Sequence, residues 1–484
     1  MLMKKIILLL TALMAITVNA MADSNKLRVV FLGEQTIGRW EWGTYLSING
    51  SNLAQMASGD ELHIVLQSDD AAASAASETY YQYNVTIDDN DSRPKIYDGS
   101  IESGTSEVIV TPTDEQITLL KANKLMIQGH FVKVKKIAFG KPNTKNPVTG
   151  TLPLDLKDNE AWSSSCSLGA DILHTVNVGD RLMLTFEEGS TSPGEGKGVQ
   201  VVIQGNNASG KWSDATSYYD VTQGQTTLEI PVTDANISNF QTFQSFDIKG
   251  KNFKLTNVAL YTYSPLYCLN ATNSNVSLSE LPTTTIDVEL TRTFDWNSTI
   301  CLPFEVPSVS SAFDATLGTT KVFEFSEYNN GLVFTEREHI KAGVPYYMER
   351  AYNESINDKN ATITFEGVTI NTEPSNSSES GGLTFKGNYT PGMDMKNKYG
   401  VAYVDSWGFY KGASGSKLNA FSAYFEGSIQ AARLSIIIDE EVNGINEVQQ
   451  SISSNHYYTI NGMRIDKPTK KGLYILNEKK VIIK

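Results

Sequence analysis

Cysteine is scarce: Cys166, Cys268 and Cys301 are the only three in 484 residues. Folding must therefore rest on core burial rather than cross-links, even in an oxidising compartment that would permit disulfides. Cys268 with Cys301 is the pair to expect if one forms; three separate, semi-buried thiols are the alternative. Positive charge is also short, 40 Lys and Arg against 54 Asp and Glu, for a net charge of −14. No broad basic patch relieves it, which argues against nucleic acid and against anionic lipid as partners. Beyond the first residues no stretch approaches the roughly 20 apolar residues of a membrane-spanning helix. Helix-forming stretches are few. The usual catalytic constellations are missing as well. His63, His130, His174, His339 and His456 are isolated, with no metal-ligand spacing, and there is no Gly-x-Ser-x-Gly elbow. "GNNASGKW" (Gly205 to Trp212) mimics a phosphate loop only as far as Lys211; Trp212 stands where Ser or Thr is required, so it reads as a hairpin loop. No cofactor is expected. Asp88, Asp89, Asn90 and Asp91 offer hard oxygen ligands to calcium, but not at EF-hand spacing, and a solvated loop is the simpler reading.

What is present begins with an export signal. Lys4 and Lys5, the apolar run Ile6 to Val18 and Ala20-Met21-Ala22 form the three parts of a cleavable leader, residues 1–22. Next comes an internal repeat. "ASGDELHIVL" around Gly59-Asp60 returns as "NVGDRLMLTF" around Gly179-Asp180. "TPTDEQI" at Thr113-Asp114 returns as "PVTDANI" at Thr233-Asp234. "LMIQGHFVKVKKIAF" returns as "FDIKGKNFKLTNVAL", pairing Gly129 with Gly250, Val134 with Leu255 and Ile137 with Val258. Three matched blocks in one order make two copies of a single module, joined by the Pro/Gly/Asn-rich "GKPNTKNPVTG".

Each copy alternates apolar and polar residues with period near two, in short runs ended by turn residues. Only "TDEQITLLKAN" offers a helical turn, with Thr113 as N-cap. The fold class expected is all-β: two tandem jelly-roll-like β-sandwich modules, 23–145 and 146–264, a larger β-rich domain, 265–440, and a short C-terminal β-hairpin element, 441–484. Asn461-Gly462 between apolar runs is the hairpin signal in that last piece.

The tail "YYTINGMRIDKPTKKGLYILNEKKVIIK" resembles the C-terminal sorting domains of bacterial type IX secretion, on Asn461, Gly462, Arg464, Gly472, Leu473, Tyr474, Lys480 and Lys484. That resemblance implies passage across the outer membrane of a Gram-negative bacterium, with the secretion machinery as a partner and a secreted or surface location. "WNSTICLPFEV", "IKAGVPYYM" and "LNAFSAYF" resemble a β-domain of large surface proteins in such bacteria. The repeated modules resemble small carbohydrate-binding β-sandwich modules, on the Gly-x-Trp near the first strand, the Gly-Asp turn and the closing "GxxFxLxxVxL" pattern. They imply a polysaccharide or other glycan as partner.

Stacking on sugar rings needs exposed aromatics with amides or carboxylates nearby. "GRWEWGTY" supplies Trp40 and Trp42, separated by Glu41 and set between Gly38 and Gly43. Gln82 in "ETYYQYNV" and Gln200 in "VQVVIQGNN" fall at similar places in the two copies, and Trp212 follows in the second. The candidate carbohydrate-binding residues are thus Trp40, Trp42, Gln82, Gln200 and Trp212. A single aromatic in a sandwich is more often core than site, so each must prove exposed. The expectation is a non-catalytic glycan-binding protein. A structural or adhesive surface protein is second, and an unrecognised hydrolase third.

Overall fold

Strands dominate, as the alternating pattern requires. The computed structural model describes residues 26–39, 44–89, 93–156, 165–188, 199–222, 224–351 and 359–439, and four strands near the C-terminus. The leader, Trp40, Trp42, Asn90, Asp91 and the Asn461-Gly462 pair lie outside the described residues. No described helix is long and apolar enough to cross a membrane.

Each module is a two-layer sandwich whose layers share one bent strand. In the first module that strand is Lys124–Gly140. Its first part pairs with Leu46–Asn49 and Tyr81–Asp88, and its second part with Lys26–Arg39 and Glu61–Ser68. The bend falls at Phe131, whose φ is 51°. In the second module the bend breaks the strand into Ser245–Lys251 and Phe253–Thr262, with Asn252 between them at φ 67°. A left-handed residue at a fixed place turns the chain from one layer to the other. The glycine before each corner is there for space. A Cβ on Gly129 would lie 2.5 Å from the Gln82 carbonyl oxygen, and one on Gly250 2.4 Å from Phe253 Cε1. Gly250→Val is therefore expected to destabilise the protein by about 1–3 kcal/mol, the usual cost of overpacking, read as a lower urea midpoint at unchanged slope.

The Gly-Asp turns are equivalent in the same detailed way. Gly59 and Gly179 have φ of 76° and 98°. The buried Asp60 accepts from the Ala57 N–H at 2.7 Å, and the buried Asp180 from the Asn177 N–H at 2.9 Å. "TDEQITLLKAN" forms the helix Asp114–Ala122 with a complete capping box between Thr113 and Gln116. The connecting segment is not slack, because Asn143–Lys145 pairs with Phe253–Thr262 in the second module's sheet. The Ser/Gly-rich segment 372–382 is tied down as well: Ser375 and Ser377 donate backbone N–H groups to the carbonyls of Gly343 and Phe385 at 2.9 and 2.8 Å.

Residues after Tyr263 do not fold apart from the first module. Ser264–Asn270 runs parallel to Lys26–Arg39, Ile286–Thr293 runs parallel to Ser264–Asn270, and Asn360–Val368 closes antiparallel. Two further five-stranded sheets enclose a core of Phe323, Phe325, Phe334, Phe385, Phe409 and Phe425. Of the two readings of the cysteines, the separate thiols hold: Cys268 and Cys301 are not linked, and all three cysteines are free. Cys268 approaches Glu289, and Cys301 donates to the Gly343 carbonyl at 3.1 Å, its pKa pushed up to about 12 by burial. Asp439–Lys484 forms a second compact unit, a sheet of four strands in which Tyr457–Thr459 pairs antiparallel with Arg464–Ile465 and Gly472–Leu476.

A buried charged cluster locks the two modules together. Arg181, 3% exposed, donates Nη2 to Glu61 and to the Tyr263 hydroxyl oxygen, each at 2.6 Å, and Nη1 to Glu229 at 3.1 Å. His63, 1% exposed, lies between Glu107 at 3.1 Å and Glu61 at 3.3 Å. Burial opposes charging of His63, but hydrogen bonds and charge from Glu107 and Glu61 outweigh it and raise its pKa. Burial likewise opposes ionisation of Glu61 and Glu107, yet His63, Arg181 and Lys136 hold both below the usual carboxylate range.

The pH dependence follows. The His63 contribution is full below the unfolded value near 6.5 and fades as pH rises through the raised folded value. The carboxylate contribution is full above about 4.5 and fades as pH falls through the lowered folded values. Tm should peak between about pH 4.5 and 6.5 and decline by a few degrees toward pH 8. His63→Gln should flatten the alkaline limb in a thermal melt series.

Candidate functional site

Strand register fixes which side chains share the solvent-facing side of each module. In the second module Val201 and Ile203 point into the core, so Gln200, Val202, Gln204 and Asn206 lie on the other face, where Val202 is itself fully covered and the three polar residues are half-buried. Their neighbours across the strands are polar. Gln200 lies between Lys251 and Asp220, Gln204 between Asp247 and Asp214, and Asn206 between Ser245 and Trp212. Sheet hydrogen bonding thus places Gln200 and Trp212 on one face. Asn206 lies six steps along the strand from Gln200, about 20 Å at ~3.3 Å per residue.

Side chains on this face are held in place by one another. Gln200 Nε2 donates to Asp220 at 2.9 Å, and Gln204 Nε2 to Asp214 at 2.8 Å. Ser165 and Ser167 donate to the two oxygens of Asp247 at 3.1 and 2.8 Å. These amides keep unspent donors and acceptors in fixed orientations. Trp212 closes the end of the row, 44% exposed, with Lys249 Nζ 5.5 Å from its ring centroid. The short Trp212–Asp214 strand is positioned by the hairpin turn that "GNNASGKW" forms, in which Asn207 Oδ1 accepts from the Ser209 and Lys211 N–H groups, each at 3.1 Å.

The first module offers the matching face. Tyr83 pairs with Gly129 as Val201 pairs with Gly250, so Gln82 and Gln200 are equivalent positions. Gln82 is exposed and lies between Ser100 and His130; Asn84 lies between Asp98 and Gln128. Tyr81 and Tyr83 turn the other way. Tyr83 is core, its pKa raised to about 12 by burial and then by Tyr97. The exposed ring here is Tyr80, 46% exposed and stacked flat on His130, with centroids 4.6 Å apart and planes 10° apart. His130 Nε2 is bonded to Glu78, whereas His130 Nδ1 and Asn84 Oδ1 are buried with no hydrogen-bond partner among the described residues.

Of the candidate residues, the structure puts Gln200 and Trp212 on one face, at opposite ends of the Val199–Asn206 strand, and Gln82 at the corresponding place of the other copy. Trp40 and Trp42 lie outside the described residues. Sequence reasoning missed the Tyr80–His130 stack. His130 has no metal-ligand spacing to mark it, but the repeat places it beside Gly129, the counterpart of Gly250, and hence opposite Gln82. Among the described residues no group of three or more His, Cys, Asp or Glu is arranged to hold a metal ion.

The sequence matches no protein-family model and no curated protein. Several solved structures align with parts of it. A Bacteroides ovatus protein, SGBP-B of a mixed-linkage glucan utilization locus, in complex with a heptasaccharide, aligns over 23% of this chain and 29% of its own length, at 13% identity and TM-score 0.19. The tandem CBM22-1-CBM22-2 domain of Paenibacillus barcinonensis Xyn10C aligns over 47% and 85%, at 10% identity and TM-score 0.16. The PBSX exported protein XepA aligns over 48% and 84%, at 11% identity and TM-score 0.17. At these TM-scores the likenesses carry no weight for function.

Proposed function

We propose that this is a secreted or surface-exposed, non-catalytic glycan-binding protein, whose outer module faces lie along polysaccharide chains. The carrying observation is the row of oriented amides and carboxylates from Gln200 to Asn206 that ends at the exposed Trp212 indole. A sugar ring has a flat C–H face, which an indole desolvates, and a rim of hydroxyls, which amides and carboxylates bond. A row about 20 Å long suits a run of sugar units better than one ring. Gln82, Asn84 and the Tyr80–His130 stack give the first module a second, differently shaped platform, and Trp40 and Trp42 belong to the same reading. The leader and the sorting-type tail support delivery to the outside of a Gram-negative cell through the secretion machinery.

Affinity electrophoresis against neutral polysaccharides tests this reading. Retardation by at least one of them, reduced by Trp212→Ala, is expected. Free migration through all of them overturns it. One observation favours a second reading, a rigid surface scaffold: the sheet shared by the first module and the region after Tyr263, with the Arg181 cluster fixing the second module, leaves the sandwiches no slack.

A further inference from the structure

The region after Tyr263 contains a buried cation with no carboxylate at ion-pair distance among the described residues. Arg292, at the end of Ile286–Thr293, is 6% exposed. Its Nε donates to the Thr293 carbonyl at 3.3 Å, Nη1 to Phe421 at 2.5 Å and Nη2 to Thr299 at 2.9 Å, with the Phe294 ring centroid 4.9 Å away. Carbonyls solvate a guanidinium but do not neutralise it. Among the described residues no carboxylate reaches ion-pair distance of Arg292. Five N–H donors less these three bonds leave two for another partner. Burial lowers its pKa to about 10, and the charges of Cys301 and Asp295 offset this only in part. Buried charges are normally paired because desolvation is costly.

Arg292 lines an open cavity of about 580 Å³, a size typical of small-ligand sites (roughly 300–1,000 Å³). The charged residues around it are Arg292, Lys411, Lys417 and Asp295, three cations against one carboxylate. Asp295 is already bonded to Lys359 at 2.5 Å. This is a locally positive cavity in a chain of net charge −14. The wall also offers Ser298, whose Oγ is buried without a hydrogen-bond partner, and the ring of Tyr410.

We propose that this cavity binds a saccharide bearing a carboxylate, such as a uronate unit of an acidic polysaccharide. The carboxylate supplies the charge that Arg292 lacks, Lys411 and Lys417 draw it in, and the sugar hydroxyls and C–H face meet Ser298 and Tyr410. The cavity is much larger than a simple anion needs, and its hydroxyl-, amide- and phenol-bearing wall matches a polyhydroxylated acid. It involves neither Gln200 nor Trp212 and goes beyond the sheet-face reading.

Calorimetric titration of the purified protein with digalacturonic acid tests it, with cellobiose and acetate as comparators. Digalacturonic acid should bind, and cellobiose and acetate should bind at least tenfold more weakly. The double variant Lys411→Glu/Lys417→Glu, which alters side chains at the rim and not the buried cation, should lose at least tenfold in affinity. Raised salt should weaken binding, and Trp212→Ala should leave it unchanged. No heat, equal binding of cellobiose or acetate, or indifference to the lysine reversals overturns the proposal. Retention on neutral polysaccharides is a separate measurement, so failure here and failure of the sheet-face reading are told apart.

Discussion

Trp212→Ala is expected to weaken retention on a bound polysaccharide by roughly thirtyfold. The indole is an exposed ring on the outer face of the second module, and it lies beside Asn206 at the end of the row that begins at Gln200. Stacking a sugar on it removes on the order of 80 Å² of apolar surface from water, worth about 2 kcal/mol at ~25 cal/mol per Å², and 1.4 kcal/mol is a factor of ten. Folding should change little, since Trp212 sits on a short strand at the sheet edge, 44% exposed, with Lys249 over its ring. Affinity electrophoresis reads the first effect and a thermal melt the second. If the variant migrates as the parent does on a polysaccharide that retards both, the indole is not the platform.

Arg181→Met should produce the largest loss of stability, about 3–5 kcal/mol, the usual cost of stranding a partner of a buried ion pair. Among the described residues Arg181 makes the shortest ion pair to Glu61, with His63 at 3.3 Å, and the Tyr263 hydroxyl donates to the same carboxylate at 2.8 Å. Without the guanidinium, Glu61 stays buried between a phenol and His63. Adding Glu61→Gln removes the stranded charge, so the double variant should recover much of the loss. Urea unfolding of the parent, both single variants and the double variant measures the coupling. A double variant no more stable than Arg181→Met alone would show that the pair does not act as a unit.

The repeat shows how far local chemistry carries. Gly59-Asp60 and Gly179-Asp180 are legible because a positive φ and a buried carboxylate receiving its own turn's N–H are properties of a few adjacent residues. Gln82 and Gln200 were legible as equivalents because Gly129 and Gly250 mark the same corner. Tyr80 was harder. Alternation puts it on the Gln82 face, but its place against His130 depends on register between strands far apart in sequence. The cysteines illustrate the converse. Their count suggested a possible link between Cys268 and Cys301, while packing separates them, one against Glu289 and the other against Gly343.

The amino-acid order by itself determined the all-β class, the duplication, the turns and the outward polarity of the Gln-bearing strands, because period and turn chemistry act over neighbouring residues. Only the tertiary structure decided that Ser264–Asn270 extends the first module's sheet, that Arg181 meets Glu61 and that Arg292 is buried among carbonyls with no carboxylate at ion-pair distance among the described residues. Those outcomes depend on which distant strands pair and which charges are desolvated together. In the sequence every Arg, Asp and Glu looks alike; burial and geometry alone separate a solvated charge from one that needs a partner.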